Sequence, residues 1–137
     1  VTIEDDARIM GSAAIHQFVR IGHAALVGGV AGVEADVIPY GSVLGNRARL
    51  IGLHWIWLRR NGVQSDEIHR MRKAFLTLYP KNGCGEDPFS VRLEQVRAEF
   101  GDNPRVREIL DFIDAPSRRG LVRPARQDLE RAETEGA

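Results

Sequence analysis

Cys84 is the single cysteine of this chain, which excludes an internal disulfide and any site built from several thiolates. Its neighbours Asn82, Gly83 and Gly85 read as a loop. One unpaired thiol fits a reducing compartment, and a cytoplasmic location is the expectation. No apolar run approaches the ~18 residues of a membrane-spanning helix. No secretory signal opens the chain. Formal net charge is zero, so whole-molecule attraction to nucleic acid is not indicated. The four histidines show no metal-ligand spacing with carboxylates or thiols, and no metal is expected. A GxxxxGK phosphate loop and a supported Ser-His-Asp arrangement are both missing. Many classes of catalyst and carrier are thereby set aside.

What the chain does have is a period of six. Ile3, Ile9, Ile15, Ile21, Val27 and Val33 form one column. Val1, Ala7, Ala13, Val19, Ala25, Ala31 and Val37 form a second. A helix needs a 3.6 period and a simple strand a period of 2. A strict period of six fits a parallel β-helix of hexapeptides, three short faces to a coil. The branched residue fills each face and the small one sits near a corner. Ordinary sandwich strands would instead show turn signals every 8–12 residues. Residues 1–42 supply slightly over two coils, and stacked repeats need about three units. The first coil by itself would leave an open strand edge, and because the chain starts within a repeat, further coils upstream of Val1 are expected.

The period then changes. Pro39 and Gly41 break the pattern, and Gly45-Asn46 makes a turn. A helix is expected from Arg47, with Leu50, Leu53, Trp57 and Leu58 as its stripe and Asn61-Gly62 as its end. Ser65 is read as the cap of a second helix, with Ile68, Met71, Phe75 and Leu78 buried and Pro80 as its stop. Asp87-Pro88 reads as N-cap and N1 of a third, lined by Phe89, Leu93, Val96 and Phe100. Asn103-Pro104 starts a fourth, with Val106, Ile109, Leu110 and Ile113 apolar. The expected organisation is β-helix coils over 1–46, a helical domain over 47–123, and a charged, disordered tail over 124–137. Charge divides along the same line. Residues 1–46 carry five acids and two bases, residues 47–73 seven bases and two acids. A three-sided prism with exposed flat faces suits a symmetric trimer.

A set of motifs runs through this frame: His16-Gln17-Phe18, Val19-Arg20-Ile21-Gly22, Gly28-Gly29, Asp36-Val37-Ile38-Pro39-Tyr40, Gly45-Asn46, Leu58-Arg59-Arg60, and Ser117-Arg118-Arg119-Gly120-Leu121-Val122-Arg123. At these spacings, over about residues 1–123, the chain resembles the UDP-N-acetylglucosamine O-acyltransferases of lipid A biosynthesis. The resemblance implies a homotrimeric, left-handed β-helix with a C-terminal α-helical domain, an exception to the right-handed crossover rule. It implies transfer of a 3-hydroxyacyl group from acyl carrier protein to the sugar 3-hydroxyl. No prosthetic cofactor is implied, since the acyl donor rides on the carrier's phosphopantetheine. It also implies that the catalytic histidine lies upstream of Val1, so no catalytic residue is assigned here.

By the same resemblance His16 lines the active-site cleft and Gln17 contacts substrate. An outward histidine would equally suit a trimer contact, and the glutamine could cap a corner carbonyl. Gly29 matches a position that sets acyl-chain length, although glycines also permit tight corners. Arg60 matches an arginine that pairs with nucleotide phosphates; a helix-end arginine is also favoured by the dipole. Arg72 and Lys73, with Arg70, are expected to receive the acidic carrier protein, a solvated helix face being the alternative. Three positions depart from the family pattern: His54 replaces an asparagine, Trp57 a glycine, and Asn61 an arginine. His54 could donate one of the same hydrogen bonds to substrate, and the acceptor could equally differ from the standard sugar nucleotide. Trp55 reads as helix packing. His23 and His69 read as surface residues. The N-acyltransferase of the same pathway fits less well, while a shortened, non-catalytic chain that trimerises or binds carrier protein stays open.

Overall fold

The computed structural model describes residues 1–81 and 87–124. Cys84, most of the loop after Lys81 and the tail beyond Pro124 lie outside them.

Six two-residue strands come first: β1 (Thr2–Ile3), β2 (Arg8–Ile9), β3 (Ala14–Ile15), β4 (Arg20–Ile21), β5 (Leu26–Val27) and β6 (Gly32–Val33). They pair in parallel with a fixed offset. Ile3 lies beside Ile21, Ile9 beside Val27 and Ile15 beside Val33, each eighteen residues on. Three hexapeptides thus make one turn of a three-faced coil. The column residues Ile21, Val27 and Val33 are fully buried, each contributing roughly 1.5–3 kcal/mol. Exposure rises toward the open end of the coil, to 38 % at Ile9 and 51 % at Ile3.

The period is as much a backbone property as a side-chain one. Asp6, Ser12, Phe18, Ala24 and Val30 all have positive φ, between 55° and 67°. Each is the third residue of a corner. In four of these corners a backbone bond closes across it, as from Val19 N to the His16 carbonyl and from Ala31 N to the Gly28 carbonyl. A left-handed third residue is what a type II turn requires. Corners also stack on one another, as where Val30 N donates to the Gly11 carbonyl.

The third turn of the coil is shorter. Val37 bridges Ile21 and Val43 pairs with Val27, sixteen residues on rather than eighteen. Val37 therefore sits at a strand-interior position, not in the small-residue corner column where its spacing had placed it. Pro39 and Gly41 do not break the coil either. Ile38-Pro39-Tyr40-Gly41 is another corner, with Tyr40 at φ 61° and Gly41 N donating to the Ile38 carbonyl. Pro39 takes the second turn position, where its fixed φ is favourable.

The helix expected from Arg47 is a correction. Residues Arg49–Leu53 form β8, antiparallel to β7 (Gly41–Leu44), with a bulge at Ser42/Val43. Ala48 and Leu50 are buried while Arg47, Arg49 and Ile51 are exposed, a period of 2 that Leu50, Leu53 and Trp57 had obscured. The turn at Gly45-Asn46 stands, with Gly45 at φ 103°. Helix α1 is only Trp55–Arg60. Helix α2 spans Ser65–Leu78, and Gln64, not Ser65, holds its N-cap. Helix α3 spans Phe89–Phe100 with Pro88 itself at the N-cap. Helix α4 spans Pro104–Asp114, and the Asn103 side chain accepts from Arg105 N and Val106 N as its sequence signal implies. One contiguous core joins coil and helices, running from Val19 through Leu58, Met71 and Leu110 to Val122.

After α4 the chain returns to the coil. Asp36, completely buried, holds it there. Its backbone N donates to the Gly120 carbonyl and its own carbonyl accepts from Val122 N. Its carboxylate accepts from Arg20 N at 2.8 Å, Arg20 Nε at 2.9 Å and Ser117 Oγ at 2.5 Å. Truncating one partner of a buried, hydrogen-bonded charge pair costs about 3–5 kcal/mol. Asp36→Ala is therefore expected to lower the urea midpoint, with an unfolding free energy reduced by an amount in that range, and to make Arg118 and Arg119 early tryptic sites. An unchanged midpoint and digestion pattern would rule out this anchoring role.

Candidate substrate-binding surface

The β3 corner explains how two polar side chains come to face outward. Ile15 points into the coil beside Val33, and His16 N donates to the Val33 carbonyl. The corner then turns through Phe18 to the buried Val19. His16 and Gln17, on the bend, are exposed. The returning segment closes over this corner. Arg119 Nε donates to the Gln17 carbonyl at 2.9 Å, and the Arg118 guanidinium lies 4.3 Å from the centre of the Phe18 ring. Two motifs about a hundred residues apart in sequence thus share one surface.

Gly28 and Gly29 occupy a related corner but do different things. A Cβ on Gly28 would fall 2.1 Å from Leu44 Cδ2 and 3.3 Å from the Val43 carbonyl, so it would displace the exposed Leu44 side chain from the corner. A Cβ on Gly29 would meet only the Gly11 carbonyl at 3.5 Å. The left-handed residue of that corner is Val30, so Gly29 is not required by backbone conformation. It is an exposed position where a side chain was simply not placed.

His54 sits at the junction of β8 and α1, only 5 % exposed. Its backbone N donates to the Tyr40 carbonyl at 2.6 Å, and its Nδ1 lies 2.9 Å from the Ala24 carbonyl. A carbonyl only accepts, so Nδ1 carries a proton. The ring ties a coil corner to the start of α1. Trp57 is also buried, against His23 at 5.4 Å and Tyr40 at 5.8 Å between ring centres. Trp55 is half-buried against the core. By contrast Arg59 and Arg60 are exposed in the last turn of α1, where the helix dipole favours them. Neither guanidinium has an ion-pair or hydrogen-bond partner among the described residues.

On α2, Arg70 is occupied by Asp102 at 3.3 Å and lies over Phe100. Arg72 and Lys73 are exposed and free of such partners among the described residues. No hydrogen bond or ion pair connects Arg60, Arg72 or Lys73 to His16 or Gln17 among those residues. Asn61 is exposed and caps the helix end, its Nδ2 donating to the Trp57 carbonyl. Among the described residues no group of three or more His, Cys, Asp or Glu could hold a metal ion, and no helix is long and apolar enough to cross a membrane.

Sequence reasoning missed one cluster. His23 is not a plain surface residue: Nδ1 lies 2.7 Å from Glu108 Oε1 and Nε2 3.4 Å from Asp6 Oδ2. Tyr40 Oη donates to Glu108 Oε2 in a short bond. The backbone N of His23 donates to Glu4 Oε2. Glu108 stands on the partly polar flank of α4, and no local signal pairs it with a coil histidine. His69 is exposed, as read.

The surroundings of the two tyrosines shift their ionisation. Burial pushes the Tyr40 hydroxyl well above its usual range, and the Glu108 carboxylate adds to the rise. Burial pushes Tyr79 up to about 12, against opposing Arg123 and Arg92. These are the only two tyrosines in the chain. Below pH ~10 both states hold the protons and stability is insensitive to them. Above it the unfolded chain ionises first, so stability falls as pH rises toward about 12. Absorbance near 295 nm should show neither tyrosine of the folded chain titrating with a midpoint near 10. A single step there with full amplitude would contradict both environments.

Comparison with known proteins follows this geometry. Residues 36–122 match the family model described as UDP N-acetylglucosamine O-acyltransferase, domain 2. The acyl-[acyl-carrier-protein]–UDP-N-acetylglucosamine O-acyltransferase of Rhizobium rhizogenes is 41 % identical over 126 residues, covering 92 % of this chain and 45 % of that protein. The protein of the same name from Paracoccus denitrificans is 42 % identical over 122 residues, 89 % of this chain and 44 % of that one. Among solved structures, the Arabidopsis UDP-N-acetylglucosamine acyltransferase superposes with a TM-score of 0.81 at 32 % identity, over 88 % of this chain and 44 % of its own. The Francisella novicida enzyme gives 0.80 at 25 % identity, over 92 % and 45 %. The chain spans a little under half the length of these relatives.

Proposed function

Since the chain belongs to the UDP-N-acetylglucosamine O-acyltransferase family, we propose that it is the C-terminal portion of an enzyme that moves a 3-hydroxyacyl group from acyl carrier protein to the 3-hydroxyl of UDP-N-acetylglucosamine, the first step of lipid A synthesis. The observation that carries this reading is identity of 41 % over 126 residues, 92 % of this chain, a span that takes in both coil and helices. In the reaction the sugar hydroxyl oxygen bonds to the thioester carbon and the carbon–sulfur bond breaks. The hydroxyl proton passes to a general base and the carrier leaves as its thiol. The base belongs to coils upstream of Val1. This chain supplies binding groups: His16 and Gln17 on the exposed corner, Gly29 as open space along the acyl path, and Arg60 as a free guanidinium for the diphosphate. Arg72 and Lys73 offer a positive face to the acidic carrier. The coil is left-handed and three copies close into a trimer in the cytoplasm, with no prosthetic group.

A second reading is favoured by one specific observation. His54 is buried on the Ala24 carbonyl, and Trp57 fills the neighbouring space, so the stretch that departs from the family pattern is turned toward packing. That favours a shortened, non-catalytic paralogue that trimerises or binds carrier protein.

A chimaera separates the two. This chain replaces the matching C-terminal part of the Rhizobium rhizogenes enzyme, and transfer from 3-hydroxyacyl carrier protein to UDP-N-acetylglucosamine is measured. Turnover is expected from the chimaera and none from the chain alone. Arg60→Ala in the chimaera should raise KM for the sugar nucleotide about tenfold or more, the loss of one charged hydrogen bond. A folded, trimeric but inactive chimaera would support the non-catalytic reading. Turnover by the chain alone would overturn the missing base and make His16 its first candidate.

A further inference from the structure

We infer that the cleft between the β8 edge and the returning C-terminal segment binds a small phosphate-bearing molecule, at a site separate from Arg60 and Arg72. The cleft has a volume of about 190 Å³ and is lined by Arg47, Arg49 and Arg123, by Leu121 and Val122, and by Glu34. Neither Arg60 nor Arg72 reaches it.

Strand geometry gathers the three arginines. Ala48 and Leu50 face the core, so Arg47 and Arg49, two residues apart, share the outer side. The C-terminal segment runs alongside, with Leu50 N donating to the Arg123 carbonyl at 3.1 Å. Val122 is buried there, which turns Arg123 outward beside Arg49. Asp36 fixes this position through its pairing with Gly120 and Val122.

Four arginines of this protein meet carboxylates from other elements, and Arg119 meets the Gln17 carbonyl. Arg20 has Asp36, Arg70 has Asp102, Arg97 has Asp114 and Arg105 has Glu67. Arg47, Arg49 and Arg123 make no side-chain hydrogen bond or ion pair among the described residues. Three unneutralised guanidiniums around one cleft repel each other, and a dianion removes that repulsion. The planar fork of arginine matches phosphate oxygens two at a time. Glu34, the one carboxylate in the lining, opposes a fully charged anion, and the cleft volume of about 190 Å³ suits a small one.

Inorganic phosphate is the probe. Its 31P linewidth is titrated with the 137-residue chain at constant ionic strength, with chloride as the control anion. Saturable binding is expected. Arg49→Gln and Arg123→Gln should each weaken it about tenfold, the loss of one charged hydrogen bond. Glu34→Gln should tighten it about threefold by removing a surface like charge. An Arg60→Gln/Arg72→Gln variant should bind as the parent does. All these side chains are exposed, and unchanged circular dichroism checks each fold. Absence of saturation overturns the proposal. So does loss of binding in the Arg60/Arg72 variant with the cleft variants unaffected, which would assign the phosphate to the proposed substrate surface. An unchanged affinity in Glu34→Gln would likewise place the anion outside the cleft.

Discussion

The Asp36 carboxylate is the point on which coil, helices and C-terminal segment all depend. A buried charge pair is not stabilising by default, because desolvation can exceed the attraction. Here the acceptor capacity is well used: Oδ1 takes Arg20 N, and Oδ2 takes Arg20 Nε and Ser117 Oγ. Arg20 extends the link, donating to the Phe112 carbonyl and lying 4.0 Å from the centre of the Phe112 ring. One acid therefore positions the end of α4, the turn at Ser117 and the strand-like run to Arg123. The gain is register more than net energy. Apolar packing alone would let the C-terminal segment slide along the coil.

Asp36 can do this only because the coil slips there. A regular sixth-residue corner after Val30 would put a left-handed residue at 36. Instead the chain bends at Ala35 without a left-handed residue, and the next left-handed residue is Tyr40. The slip removes two residues from the turn, presents the Asp36 backbone as an edge, and lets Leu121 pair with it. The same slip brings Tyr40 into reach of Glu108. A local defect in the repeat is thus what allows a coil to grip a helical domain.

Most of the coil was legible because side chains on its three faces answer to one constraint, the depth of a narrow interior. The corners were not legible. Their left-handed residues are Asp, Ser, Phe, Ala and Val, with none of the glycine or asparagine that normally marks positive φ. Stacking on the next corner outweighs the local preference. β8 was misread since Leu50, Leu53 and Trp57 satisfy a helical spacing while Ala48 and Leu50 satisfy a strand. Only the presence of β7 as a partner decides between them. Helix α4 was legible because its cap is local, Asn103 closing onto the next turn. At the site, the outward set of His16 and Gln17 follows from the hexapeptide phase. The burial of His54, the His23–Glu108 pair and the gathering of Arg47, Arg49 and Arg123 do not, since each needs an element distant in sequence.

The packing around Trp57 makes sense as one coupled arrangement of His23, Tyr40, His54 and Glu108. A large indole at 57 fills the space between α1 and the coil, and it needs flat partners. His23 and Tyr40 provide them. His23 on that flank needs a counter-group, and Glu108 on α4 and Asp6 on the preceding coil provide it. His54 then caps the joint by holding the Ala24 carbonyl of the neighbouring corner. Each residue is costly alone: a lone indole on a surface, a half-buried imidazole, a buried ring nitrogen. Together they satisfy one another and make the junction of β8 and α1 a packed joint. Arg60 lies beyond that joint, on the last turn of α1, and stays free. Packing at 54–57 and exposure at Arg60 are therefore compatible.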